Sequence, residues 1–352
     1  MRDKYRQYIY DNHAIIPYGV TEIGECAFEG CSQLTNVVIP DTVKVIDMYA
    51  FKDCTNLTHV SLPHSVTLIC SAAFKDCSKL MSVEIPDSLL TIGLAAFSGC
   101  TSLSSISIPS SVRKIDGLSF SGCSNLSSIT VSKNNQFYIS IDNCLVEKKS
   151  LTLIAGCQNS RIPFGIRKIF NSAFDGCKGL SDIEIPDSVE IIGHSAFSGC
   201  KGLSRIEIPR SVMIIDEGAF WGCTGLTNIA IQNGVKEIKA RSFNRCTSLT
   251  SIDLPDSVRT VGDAAFSGCV GLRGIRIPDS VIEIGENAFI GCSNVKTLVL
   301  NIKEPQFAYN LLCKSGLDGL HKISLVVPLG LEEEYLTHPY FRQFYRVKGY
   351  SM

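Results

Sequence analysis

The stretch Leu203-Ser204-Arg205-Ile206-Glu207-Ile208-Pro209-Arg210-Ser211-Val212-Met213-Ile214-Ile215-Asp216-Glu217-Gly218-Ala219-Phe220-Trp221-Gly222-Cys223 contains every feature that recurs along this chain of 352 residues. Its Phe belongs to a column at 28, 51, 74, 97 and 120, then at 174, 197, 220, 243, 266 and 289, and each step inside the two blocks is 23 residues. A Cys follows each Phe three residues on, at 31, 54, 77, 100, 123, 177, 200, 223, 246, 269 and 292, so 11 of the 16 cysteines are one column of a repeat. Three residues further stands Leu, replaced once by Val295, and then two aliphatic residues flank one variable position, as Ile206 and Ile208 flank Glu207. Self-similarity at a fixed short period marks a stacked-repeat architecture.

The physics of the unit leads to the same architecture. Ile-x-Ile alternates with period two, which buries both Ile side chains and exposes the residue between them, so each turn contributes a short strand. Pro then ends the pairing because it has no N–H. The Asp-Ser that often follows, as at Asp187-Ser188 and Asp279-Ser280, is expected to bond its own turn backbone. Val, Ile, Ala-Phe and Cys return at offsets near three and four, which predicts an apolar return limb of short strand, 3₁₀ or helical turns. One unit cannot bury its apolar side alone, but stacked units share a continuous core. Neighbouring strands about 4.8 Å apart predict an elongated, curved sheet of roughly 12 turns, about 55–60 Å long.

These columns resemble the BspA-like (Treponema-type) leucine-rich repeat family, whose unit runs L-x-x-I-x-I-P-x-x-V-x-x-I-G-x-x-A-F-x-x-C; the match spans about residues 14 to 300. The resemblance implies a repeat solenoid, a right-handed superhelix with one parallel strand per 23-residue turn on its concave face and short strand, 3₁₀ or helical turns on its convex side. It further implies a non-enzymatic, adhesin-like protein that binds host or surface proteins, extracellular-matrix proteins among them, at the cell surface or in secreted form.

Composition sets limits on other functions. The chain is 45% hydrophobic and 19% charged, with 33 Lys plus Arg against 34 Asp plus Glu. This composition excludes a disordered chain, and a net charge of −1 leaves no global field for nucleic acid or anionic lipid. No stretch reaches the roughly 18 apolar residues of a membrane span, and Arg2, Asp3, Lys4, Arg6, Gln7 and Asp11 interrupt any signal core, so the sequence by itself is expected to be leaderless and cytoplasmic. The Cys column is expected to be a ladder of buried, free thiols. It contains no C-x-x-C pair for zinc or redox chemistry, and so many unpaired thiols favour a reducing compartment.

The spacing divides the chain into an N-terminal cap (1–13), a first repeat block (14–131), an insertion (132–160), a second repeat block (161–300) and a C-terminal cap (301–352). Phe120 to Phe174 spans 54 residues, 31 more than one period. Within the insertion Phe137, Ile139 and Ile141 alternate, Asp142-Asn143 offers a two-residue turn, and Cys144-Leu145-Val146 and Leu151-Thr152-Leu153-Ile154 supply further strand material, which predicts a β-hairpin island. Tyr5, Tyr8, Ile9 and Tyr10 form a short N-terminal cap that leaves an edge open to pairing. The last full repeat ends near Leu300. After it come Val326-Val327-Pro328-Leu329-Gly330, a helical segment from Glu332 to Leu336, and Tyr340, Phe341, Phe344 and Tyr345, aromatics expected to seal the open end of the core.

In a solenoid the exposed, variable strand positions are free for function. In the first half they read Asn36/Val38, His59/Ser61, Ser82/Glu84, Ser105/Ser107 and Ser128/Thr130, small and mostly neutral. In the second they read Asp182/Glu184, Arg205/Glu207, Asn228/Ala230, Ser251/Asp253 and Gly274/Arg276. Asp182, Glu184, Arg205, Glu207, Asn228, Asp253 and Arg276 are therefore the candidate ligand contacts. Glu184 and Glu207 are expected to be cross-strand neighbours about 5 Å apart, a like-charge pair that Arg205 or a bound cation would offset. The chain contains no G-x-x-x-x-G-K-[ST], G-x-G-x-x-G, G-x-S-x-G or H-E-x-x-H motif, and the six His show no ligand spacing. No catalytic residue, metal or cofactor is expected, and the expected partner is a protein. An intracellular scaffold or regulatory binding protein is the second reading, favoured by the leaderless start and the free thiols.

Overall fold

Each Ile-x-Ile segment forms a strand or lies extended in the computed structural model, which describes residues 7–351; Tyr5 of the N-terminal cap lies outside them. The chain divides after Leu180 into two compact units, each a stack of 23-residue turns with two parallel sheets and few helices.

In the first unit one sheet runs in the order Ile9–Tyr10, His13–Ile15, Asn36–Val38, His59–Ser61, Ser82–Glu84, and Ser105–Ile108 pairs with Ser128–Val131. From His13–Ile15 onward the pairing is parallel and steps by one repeat, as in Ser107 opposite Thr130. Ile9–Tyr10 instead pairs antiparallel with His13–Ile15 through Asp11 and Asn12, both at positive φ (46° and 65°), so a hairpin occupies the edge expected to be open. The second sheet uses the two-residue strands Glu22–Ile23, Val45–Ile46, Leu68–Ile69, Thr91–Ile92 and Lys114–Ile115.

The second unit repeats the plan with Ile191–Ile192, Ile214–Ile215, Glu237–Ile238, Thr260–Val261 and Glu283–Ile284 in one sheet. In its other sheet Arg205–Ile208 pairs with Asn228–Ile231, and Ser251–Asp253, Gly274–Ile277, Thr297–Leu300, Ser324–Pro328 and Arg346–Tyr350 follow in order. The sheet thus continues two strands beyond Leu300, where the sequence had suggested a cap. The helices Pro305–Leu312 and Glu332–Thr337 lie between these last strands in sequence, and Tyr335, Phe341 and Phe344 are buried there while Tyr345 is exposed.

A third ladder explains the Ala-Phe-x-x-Cys columns. The limb after each two-residue strand is a run of hydrogen-bonded turns, in which the N–H groups of Phe28, Phe51, Phe74, Phe97, Phe197, Phe220, Phe243 and Phe266 donate to the carbonyl of the residue before the next Phe, as from Phe28 to Ala50 and Phe197 to Ala219, both at 2.7 Å. The chain must turn left-handed between Phe and Cys. Gly30, Gly99, Gly122, Gly176, Gly199, Gly222, Gly268 and Gly291 do so with φ of 67–75°, and Asp53, Asp76 and Arg245 fill the remaining turns of this column. The Phe rings stack nearly parallel, with centroids 5.1–5.4 Å apart from Phe28 to Phe97 and 5.2–5.6 Å from Phe197 to Phe289.

The thiol ladder sits beside this stack. Cys54, Cys77, Cys100 and Cys123 in the first unit, and Cys223, Cys246, Cys269 and Cys292 in the second, each donate Sγ–H to the Phe carbonyl 26 residues earlier, at 3.1–3.2 Å. Among the described residues no disulfide joins any of the 16 cysteines. Each of these Phe carbonyls also accepts from the N–H of the Cys three residues after its Phe, so a small apolar side chain with one weak donor fits a dry site that presents the carbonyl's second lone pair. Burial pushes the Cys123 and Cys292 thiols up to about 12. The stability carried by neutral thiols is then fully present below the unfolded-state value near 8.5 and is lost as pH rises from there towards 12. We expect the denaturation midpoint to fall above about pH 9 by this linkage. Iodoacetamide at pH 8 should label exposed Cys313 well before any ladder thiol, as checked by mass mapping.

The turn serines differ from expectation. Ser65, Ser88 and Ser257 donate not within their own turn but to Val43, Val66 and Val235 of the preceding one, at 2.6–2.8 Å, because stacking brings that carbonyl closer than any local one. Ser111, Ser211 and Ser280 occupy the same column with buried hydroxyls that have no partner.

The insertion contains three strands, Tyr138–Ile141, Cys144–Glu147 and Thr152–Ala155, joined as an antiparallel meander. Asp142 and Asn143 form its first turn at φ 49° and 60°, and its last strand pairs in parallel with Lys168–Ile169. Its entry is fixed by Asn135, which takes the place of a repeat Val 23 residues after Val112 and is fully buried. Its Nδ2 donates to the Pro109 and Val112 carbonyls at 2.8 and 3.0 Å, and its Oδ1 accepts from the Phe137 and Tyr138 N–H groups, both at 2.8 Å. The Tyr138 hydroxyl in turn accepts from the Ile115 N–H at 2.9 Å. One amide thereby replaces the backbone ladder where the period breaks.

Candidate binding face

Because the aliphatic residues of each Ile-x-Ile strand are committed to the core, the residues that alternate with them line one exposed face. In the second unit this face is built on in-register pairs: Arg205 opposite Asn228, Glu207 opposite Ala230, Ser251 opposite Gly274 and Asp253 opposite Arg276. Asp182, Glu184, Arg205, Glu207, Asn228 and Asp253 are exposed and Arg276 is half-buried.

The structure brings four of these residues together in two pairs. Arg205 Nε lies 3.9 Å from Asp182 Oδ1, and Arg276 donates to Asp253 Oδ1 at 3.1 Å, a hydrogen bond that raises the guanidinium pKa further. Both pairs are solvent-facing, so each contributes at most about 1 kcal/mol. The expected Glu184–Glu207 cross-strand pair does not appear in the ladder. Residues 181–186 form no strand, and Arg205–Ile208 pairs only with Asn228–Ile231, so the ladder neighbour of Glu207 is neutral Ala230. Glu207 is instead matched by Gln232, whose Nε2 donates to its carboxylate while Oε1 accepts from the Arg210 N–H. Arg205 is engaged with Asp182 and not with the two glutamates.

Sequence reasoning missed the far end of the face. The Arg276 column continues through Val299 and Val326 to Lys348, with Arg346 beside Ser324 at 3.0 Å, so acidic residues at one edge give way to Arg276, Arg346 and Lys348 at the other. The aliphatic-x-aliphatic triplet Leu325-Val326-Val327 carries a weak signal for the first of these strands, but its spacing leaves the 23-residue period, and Val347-Lys348-Gly349 lacks the second aliphatic residue.

In the first unit the corresponding face is nearly neutral. His59 Nδ1 and Ser82 Oγ are 2.8 Å apart, Ser61 donates to Glu84 at 2.9 Å, and exposed Ile15 and Val38 stand side by side. On the short-strand sheet of the second unit, Asp216, Glu217, Glu237, Lys239, Asp263 and Glu283 line a shallow groove. Lys239 pairs there with Asp216 at 3.3 Å, and Arg241 beside it pairs with Glu217 at 3.2 Å. Among the described residues no group of three or more His, Cys, Asp or Glu could hold a metal ion, and no helix is long and apolar enough to cross a membrane.

Comparison with known proteins places these features. The model of the BspA type leucine rich repeat region matches in six copies over residues 21–151 and 167–296, well over half of the chain. A leucine-rich repeat protein from Bacteroides ovatus is 34% identical over 85% of this chain and 81% of its own, with a TM-score of 0.56. A leucine rich cell surface protein from Faecalibacterium prausnitzii is 28% identical over 89% and 92%, with a TM-score of 0.58. A leucine-rich repeat protein from Eubacterium ventriosum is 26% identical over 80% and 82%, with a TM-score of 0.66. No curated protein sequence matches. Leucine-rich repeat proteins of this type typically act through protein–protein contact, are generally non-enzymatic and are typically surface-associated. With the 23-residue ladder, the stacked Phe column and the matched repeats in agreement, the chain belongs to the BspA-type leucine-rich repeat family.

Proposed function

We propose that this protein is a non-enzymatic, adhesin-like binder of a host matrix or surface protein, and that the exposed face of the second unit makes the contact through Asp182, Glu184, Arg205, Glu207, Asn228, Asp253 and Arg276. The observation that carries this reading is the graded charge on rigid, in-register strands, none of it needed by the core. Charges displayed in this way steer and orient a partner of complementary pattern. The description of the Faecalibacterium prausnitzii neighbour as a cell surface protein supports the surface setting.

An intracellular scaffold is the second reading, and 16 cysteines without a disulfide favour it. Proteolysis of intact cells separates the two, since cleavage of the native protein by external protease supports the surface reading and full protection overturns it. For the face itself, the double variant Glu184→Ala, Glu207→Ala should weaken capture on immobilised extracellular-matrix proteins at least about tenfold, a loss of roughly 1.4 kcal/mol, with a reduced salt dependence. Unchanged affinity for every matrix protein bound by the wild type would overturn the assignment.

A further inference from the structure

The strand Arg346–Tyr350 is paired on one side only. It runs parallel to Ser324–Pro328, with Val326 opposite Lys348, and among the described residues no strand joins its other side. Along a parallel ladder the peptide groups of successive residues point alternately to one side of the strand and the other. The Leu329 N–H donates to the Tyr350 carbonyl at 2.9 Å, which turns the peptide groups of Arg346, Lys348 and Tyr350 inward to the ladder and those of Val347 and Gly349 outward.

The side chains along this edge combine charge and apolar surface. Arg346 and Lys348 are exposed on the face that carries Arg276, and among the described residues neither forms an ion pair. The Arg346 Nε donates to Ser324 Oγ at 3.0 Å, and its guanidinium lies 5.7 Å from the centre of the Tyr345 ring. Glu332 lies against the opposite face of the strand, where Gly349 has no side chain to displace it. A large apolar side chain stands exposed at each end, Tyr345 at 67% and Leu329 at 68%. Leu329 is held out by the turn Pro328-Leu329-Gly330, in which Gly330 takes φ 88° and the Leu331 N–H closes onto the Pro328 carbonyl at 3.2 Å. Beside it a shallow groove of about 450 Å³ runs between Pro328, Leu329, Leu331 and Tyr350, with Lys303 as the one charged residue of its lining.

We propose that the outer edge of Arg346–Tyr350 binds an extended, acidic segment of a protein partner, which adds a strand to the sheet and sets one apolar side chain into the groove beside Leu329. The outward N–H and C=O groups of Val347 and Gly349 supply main-chain hydrogen bonds to a strand of any sequence. Arg346 and Lys348 select among strands, because carboxylates are favoured as their cross-strand neighbours and cations are not. The same rule closes the edge to a second copy of this strand, which would set Arg346 and Lys348 against their own kind. The site shares no residue with the contacts proposed for the charged face and is tested apart from them.

Fluorescence polarisation with the full chain and a labelled, end-capped peptide of alternating glutamate and valine provides the test. Binding should be saturable and at least about tenfold tighter than that of the matching lysine and valine peptide. A backbone N-methylated form of the acidic peptide should not bind, since its amides cannot join the ladder. The exposed double variant Arg346→Glu, Lys348→Glu, with its fold confirmed by circular dichroism, should invert the preference, and Leu329→Ser should weaken the acidic peptide. Glu184→Ala, Glu207→Ala should leave peptide binding unchanged, so failure at one face is told apart from failure at the other. No saturable binding, equal binding of the two peptides or of the N-methylated form, or a preference that survives the charge reversal would each overturn the proposal.

Discussion

Asn135→Ala should cost the first unit at least about 3 kcal/mol, because one truncation strands three buried backbone groups and a fourth that is half-buried. The Pro109 and Val112 carbonyls lose their donors, and the Phe137 and Tyr138 N–H groups lose their acceptor, all in a site with no access to bulk water around the side chain. Each unsatisfied group costs about 1–3 kcal/mol, less whatever the loop recovers by relaxing. Asn135→Val is the more telling variant. It restores the repeat residue found at Val112 and Val189, so pattern matching predicts a gain. The structure predicts a loss as large as that of the Ala variant, since Val can neither donate nor accept. Stacked repeats need not unfold in one step, so the effect is best localised by hydrogen exchange. Protection should fall across residues 109–147 and stay unchanged in the repeats of the second unit. A loss below about 1 kcal/mol for both variants would remove Asn135 from this role.

Phe220→Ala should be equally damaging in the second unit, at about 3–5 kcal/mol. The ring is fully buried, and its centroid lies 5.2 Å from that of Phe197 on one side and 5.2 Å from that of Phe243 on the other. Truncation leaves a gap between two rings that are held apart by the backbone ladder, because the Phe220 N–H remains bonded to the Ser242 carbonyl and the turns cannot close up. Phe220→Leu keeps much of the volume and should cost about 1.5 kcal/mol or less. Phe120 offers a comparison in the first unit, with its stacked partner Phe97 at a longer 6.0 Å and its own side chain slightly more exposed, so Phe120→Ala should cost less than Phe220→Ala. Urea denaturation of the four proteins measures the order, and equal effects for Phe220→Ala and Phe220→Leu would show that stack volume is not what holds these turns.

The repeat itself was legible because its signals are local and redundant. Ile-x-Ile fixes a strand by side-chain alternation, Pro ends it, and the 23-residue return of Phe and Cys fixes how the strands stack. The exposed residues followed from the same alternation, which is how Asp182, Arg205, Asp253 and Arg276 could be named. Their pairing could not be read as easily. It depends on which turn keeps its ladder: residues 181–186 form no strand, so the Glu184 turn meets the next one through the Asp182–Arg205 pair and not through a ladder.

The sequence by itself determined the period, the core columns and the family, since every turn repeats the same short-range instruction. Only the tertiary structure decided where that instruction is suspended. Asn135 reads as one more polar residue until four backbone partners converge on it, and the strands Ser324–Pro328 and Arg346–Tyr350 read as an ending until the sheet is seen to continue through them. The same holds for the Cys column, whose spacing was plain but whose carbonyl partners lie 26 residues back. The physical reason is common to all of them: periodicity records contacts between equivalent positions, whereas hydrogen bonds at a break join positions with no fixed separation in the chain.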